Sequence, residues 1–324
     1  MTDSKTSLKT IKSSLTKKAT AFAVIAVLFV SIFGGNLMTL QASADNGTST
    51  APAAITGKQA DRQTLRQTLA QDQTTYKQAV QTAKLTYTQA VSDANNAYNT
   101  AVLNARQAYQ TATSGAKGNP TIIGPALATR DSAIATAQTT KVNAIVTADV
   151  TKDKAVNDAW VAYQTAAYTA LATKDGSDGT AQSTFWTAVG NATLATRAQT
   201  IGQAHVTEDN AILAARQTRI SAVETADATK IQAVGTAQTT YISAEIAAKT
   251  VLDNGYTKDA KAWNAAYQSY WNTVAPLEQT RDTSIATANA NQVSAVGSAD
   301  GARDQAIDQA QAAMYGAISA AYAS

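Results

Sequence analysis

An alanine followed by a β-branched residue recurs every eleven residues along this chain, and that spacing leaves little freedom in the fold. Ala79-Val80, Ala90-Val91 and Ala101-Val102 form one series, and Ala133-Ile134, Ala144-Ile145 and Ala155-Val156 a second. Ala211-Ile212, Ala222-Val223 and Ala233-Val234 form a third, with Ala244 in step. Ser284-Ile285, Ala295-Val296, Ala306-Ile307 and Ala317-Ile318 form the fourth. Eleven residues span three helical turns at about 3.67 residues per turn, so these positions stack along one face of a nearly straight helix.

Two further positions share the period. Four residues after the first alanine stands another, as at Ala83, Ala94, Ala105, Ala137, Ala148, Ala159, Ala215, Ala226, Ala237, Ala288, Ala299 and Ala310. Three residues before it stands something larger. These are Tyr76, Tyr87, Tyr98 and Tyr109, then Lys141, Lys152 and Tyr163, then Arg219, Lys230 and Tyr241. Such spacing defines a hendecad coiled coil, in which alanine permits close backbone approach and the larger stems close the seam edge.

The expected fold is all-α: four long helices in antiparallel Ala-rich coiled-coil hairpins or an elongated bundle. The breaks come from glycine and proline clusters. Ser114 to Pro125 separates a helix ending near Thr113 from one starting near Ala126. Lys174–Gly179 reads as a turn after Thr173. Asp253-Asn254-Gly255 stops a third helix, and Pro276 should kink or interrupt the last. This gives hairpins at 58–173 and 180–322, preceded by a flexible Ser/Thr/Gly/Ala-rich tail at 45–57.

Residues 1–44 are a different chemical object. Lys5, Lys9, Lys12, Lys17 and Lys18 precede the apolar stretch Ala19–Gly35, and Ala42-Ser43-Ala44 supplies small residues for cleavage. This is the pattern of a secretory signal peptide, so the expected location is extracellular or at the cell surface. Membrane contact is expected only through this segment before cleavage. The full chain carries a net charge of +3. Without five lysines and one aspartate of the leader, 21 basic side chains face 22 acidic ones, a net charge of about −1. Nucleic-acid binding needs a basic footprint that this remainder lacks. The absence of cysteine means that no disulfide supports it.

The blocks also repeat one another. Leu127-Ala128-Thr129-Arg130 is echoed by Leu194-Ala195-Thr196-Arg197 and by Thr280-Arg281, which suggests duplication of a helical unit. Stretches such as Thr129-Arg130-Asp131-Ser132-Ala133-Ile134-Ala135-Thr136-Ala137-Gln138 resemble secreted bacterial Ala/Thr/Gln-rich coiled-coil proteins of the cell surface. That resemblance implies a spacer, fibre subunit or surface coat, with self-association or other coiled-coil and cell-envelope components as partners.

Features able to carry chemistry are few. His205, the single histidine, has Glu208 and Asp209 one turn on, but no further metal ligands stand nearby in sequence. No phosphate-binding or nucleophile motif occurs. Neither enzymatic activity, a cofactor, a metal nor a small-molecule substrate is expected. The row Thr207, Thr218, Thr229 and Thr240, on a face with Ala211, Ala215, Ala222 and Ala226, is similar to the stripe of type I antifreeze helices. It is equally half of a packing seam. Eleven-residue amphipathic repeats also bind lipid surfaces, but the apolar face here is weak and few lysines flank it. The candidate interaction residues are Trp160, Trp186, Trp263 and Trp271. They lie among aromatics gathered towards helix ends, as plugs of an Ala-packed bundle or as a sticky tip. A helical adhesin is therefore the alternative to a structural role.

Overall fold

The computed structural model describes Ala51–Ala323, with side-chain positions from Asp61 onward. The expected leader, 1–44, lies outside the described residues. Four helices make up the fold: α1 (Ala51–Thr113), α2 (Pro120–Ala188), α3 (Ala192–Asn254) and α4 (Ala260–Ala323), and the described residues contain no strand. The protein is all-α. α2, at 69 residues, is about 100 Å long at 1.5 Å per residue.

Each helix packs along the one before it in the chain: α1 on α2, α2 on α3, α3 on α4. No other pair of described helices meets. Chain order is therefore spatial order, an antiparallel row with α1 and α4 at its edges. Alanine seams explain this arrangement. They bring two helices close together, but they supply no large side chains to fill the centre of a bundle closed on itself. α2 and α3 are in contact along their lengths, so the expected hairpins 58–173 and 180–322 adjoin within the same row.

Three boundaries differ from expectation. α1 is already helical at Ala51, the first described residue, inside the segment 45–57 read as a tail. α2 begins at Pro120, capped by Asn119, whose Oδ1 accepts from the Thr121 N–H. Pro125 and Pro276 both lie inside continuous helices. Each costs one backbone hydrogen bond. The carbonyls left free, of Thr121 and Asn272, belong to exposed residues and can take water.

The third difference is the largest. Lys174–Gly179 is helical, and α2 runs on to Ala188. The stop is Gly190, at φ +82°. The Gly190 N–H donates to the Thr187 carbonyl (3.0 Å), and the Asn191 N–H to that of Trp186 (2.9 Å). This is a Schellman motif, which needs the left-handed conformation that glycine adopts without strain. Gly179 serves packing instead: a Cβ there would lie 2.9 Å from the Gly202 Cα on α3.

The best-formed apolar core joins α3 and α4 near their shared turn. Leu252, Tyr270 and Val274 are buried, with Tyr241, Ala248, Trp263 and Ala266 packed around them. Elsewhere burial falls on small residues, including Ala83, Ala105, Ala215, Ala226, Ala288, Ala299 and Ala310.

Candidate functional site

The larger residues at eleven-residue intervals meet one another across the α1–α2 seam. Arg130 lies over the Tyr109 ring (5.0 Å), Lys141 over Tyr98 (5.0 Å) and Lys152 over Tyr87 (4.6 Å). One repeat further, Tyr76 meets Tyr163 at 5.9 Å and Trp160 at 5.3 Å. Each step back along α1 is matched by an equal step forward along α2, so antiparallel helices with the same period stay in register as a ladder. Lys152 is also ion-paired with Asp149 and Asp153, and despite burial its ammonium is held above the usual lysine range by those carboxylates.

The echoed Thr-Arg segments acquire a common role. Arg130 stacks on Tyr109, Arg197 on Tyr322 (4.8 Å) and Arg281 on Tyr241 (4.6 Å), so each copy delivers a guanidinium onto a tyrosine of the neighbouring helix. Along α3–α4 further polar contacts hold the register. Arg219 pairs with Asp300, and the Gln292 Nε2 donates to Asp227 (2.7 Å). The Tyr241 hydroxyl donates to Glu278 (3.3 Å) and that of Tyr270 to Glu245 (3.2 Å). Burial, reinforced by the nearby carboxylates, raises both phenols above their ordinary value.

Removing a rung should weaken α1–α2 without unfolding the rest. Tyr98→Ala is expected to cost about 1–2 kcal/mol, from lost apolar contact and the cation–π term together. A double-mutant cycle with Lys141→Met in urea unfolding checks this. Zero coupling between the two positions would show that the stacking is incidental.

The four candidate tryptophans do not converge. Trp160 belongs to the α1–α2 ladder, stacked on Tyr163 (5.4 Å). Trp186 packs edge-on to Phe185 (5.1 Å) beside the α2–α3 turn. Trp263 meets Tyr256 (5.4 Å) and the α3–α4 core. These three are half-buried. Trp271 is 44 % exposed, and Tyr267, one turn before it, is 43 % exposed, with ring centroids 6.0 Å apart at 81°. Trp271 and Tyr267 thus form an exposed aromatic pair on α4.

His205 is partly exposed, its Nδ1 3.7 Å from Glu208. Among the described residues, no three His, Cys, Asp or Glu side chains are grouped to hold a metal ion. No described helix is long and apolar enough to cross a membrane. The threonine–alanine stripe divides: Thr207, Thr218, Thr229 and Thr240 are exposed, whereas Ala215 and Ala226 are buried. The first three threonines donate to carbonyls one turn back, at 2.8–3.0 Å. A shallow open groove lies between α2 and α3, lined by Thr169, Thr173, Ser177, Thr180, Gln203 and Val206 among others.

No protein-family model, curated protein or solved structure matches the chain.

Proposed function

We propose that this is a non-enzymatic structural or spacer protein of the cell surface, exported by its N-terminal leader. Its long eleven-residue-repeat helices act as a stiff extended element. The observation carrying this reading is the row itself, in which helices about 100 Å long are ordered by seams running their whole length. Side-chain chemistry is spent along those seams, in the stacked tyrosine–cation rungs, rather than gathered around a cleft. Self-association or association with other envelope components is the natural use of such a part, and no cofactor enters this reading.

Scattering coupled to size-exclusion chromatography on residues 45–324 tests it. The expected particle has a maximum dimension of about 100 Å. A particle of about half that length would rule out the extended row, and concentration-dependent growth would identify a fibre or coat subunit. The exposed Tyr267–Trp271 pair favours a second reading, a helical adhesin. Retention on isolated cell walls that is lost in Trp271→Ala would support it over a passive spacer.

A further inference from the structure

Near the α2–α3 turn, the two helices touch backbone to backbone. A Cβ on Gly202 would lie 2.8 Å from the Gly179 Cα and 3.1 Å from the Asp175 carbonyl oxygen. Two turns further along α3, Asp209 lies on the same seam. It is only 7 % exposed, and its Oδ2 has no hydrogen-bond partner. Across the seam stands Asp175, close enough to share a hydrogen bond with it. Two carboxyls thus meet across the seam, Asp209 buried and Asp175 partly exposed.

The charges around them leave Asp209 without a dedicated cation. From α2, Lys174 is engaged by Asp175 (2.6 Å) and Asp178 (3.0 Å). Tyr168 on α2 carries Arg216 of α3 over its ring (5.4 Å). From α3 itself, Glu208 adds negative charge and faces His205. On the other flank, the register set by Arg219–Asp300 and Arg197–Tyr322 brings Ala310 and Met314 of α4 to this height, and both are buried. The opposite end of the seam provides the contrast. There Asp131 and Asp253 also meet, but Lys249 bridges them at 2.9 Å to each. At one end of the seam a lysine bridges both carboxyls; at the other, Lys174 is ion-paired with Asp175 and Asp178 and makes no ion pair with Asp209.

We propose that Asp209 forms a proton-operated clasp with Asp175 on the α2–α3 seam, closed when Asp209 carries a proton that it can donate across the seam and loosened when Asp209 is ionised. Burial first, then Asp175 and Glu208, push the Asp209 carboxyl up to about 7. In the unfolded chain the same group ionises near 4. The folded state therefore holds a proton that the unfolded state has released between those values. The stabilisation is complete below about pH 4 and is lost as pH rises through about 7. The device tightens the array in acid and relaxes its α2–α3 end towards neutral and alkaline conditions.

Thermal unfolding of the 45–324 chain between pH 5 and pH 8 tests it, with amide exchange read locally. The wild type is expected to lose on the order of 5 °C over that range, with exchange rising around 168–182 and 202–216 before 280–300. Asp209→Asn is expected to flatten at least half of that slope and to raise the pH 8 midpoint. Asp175→Asn should do the same, which keeps the test open if the first variant folds poorly. His205→Gln removes the neighbouring imidazole and should leave the slope in place. Parallel wild-type and Asp209→Asn curves would overturn the clasp. So would a slope that disappears in His205→Gln and persists in Asp209→Asn.

Discussion

Gly202→Leu is expected to destabilise the protein by about 3 kcal/mol and to strip amide protection from the α2–α3 end. The atoms a side chain would meet at this position are backbone: the Gly179 Cα at 2.8 Å and the Asp175 carbonyl at 3.1 Å. Backbone cannot rotate aside as a side chain can, so the helices must separate, and overpacking of this kind costs about 1–3 kcal/mol or more. Better helix propensity offsets only about 1 kcal/mol of it. Gly297→Ala on α4 is the control. Nothing lies within 4 Å of a Cβ there, so only the propensity gain remains, about 1 kcal/mol of added stability. Urea unfolding of both variants decides the matter. If the two substitutions moved stability in the same direction, the close approach of α2 and α3 would be wrong.

Val274→Asp is expected to have a comparable effect by a different route. Val274 is 1 % exposed, between Leu252 and Tyr270 in the α3–α4 core. The substitution loses the burial of the valine side chain, about 1.5–3 kcal/mol, and adds the cost of placing a carboxyl where no partner waits. A total of at least about 3 kcal/mol follows, read as a midpoint lower by roughly 8 °C. The loss should be greater at pH 8 than at pH 5, because the neutral acid is the less costly form to bury. Near-UV circular dichroism from Trp263 and Trp271 should change with it. A near-wild-type midpoint would mean that this cluster is not the core of the α3–α4 pair.

The tyrosine series and the Thr-Arg echoes show where sequence patterns become contacts. Spacing alone places Tyr76, Tyr87, Tyr98 and Tyr109 on one face of one helix and Lys141, Lys152 and Tyr163 on one face of another. It does not say that the two faces meet with a rung on each rung, because register depends on where the intervening turn is made. The seam contacts of Asp209, Asp175, Asp131, Asp253 and Lys249 escaped the reading for a related reason. They lie on the second face of α2 and α3, which has no strong apolar signal. A polar residue on a long helix reads as solvated until a neighbour covers it. The exposure of Tyr267 and Trp271, unlike that of the other three tryptophans, follows from α4 being an edge of the row.

The amino-acid sequence by itself determined that the chain would be long straight helices with small-residue faces, because a period of eleven fixes a stripe whatever surrounds it. Only the tertiary structure decided how those helices are joined and ordered. The Asp-Gly-Ser-Asp-Gly segment carries a turn signal, yet Gly179 remains helical, since contact with Gly202 rewards a missing side chain there. The chain turns instead at Gly190, whose positive φ completes the helix stop. Glycine has two uses, a permissive backbone and an absent Cβ, and which one a position needs depends on whether another helix lies against it.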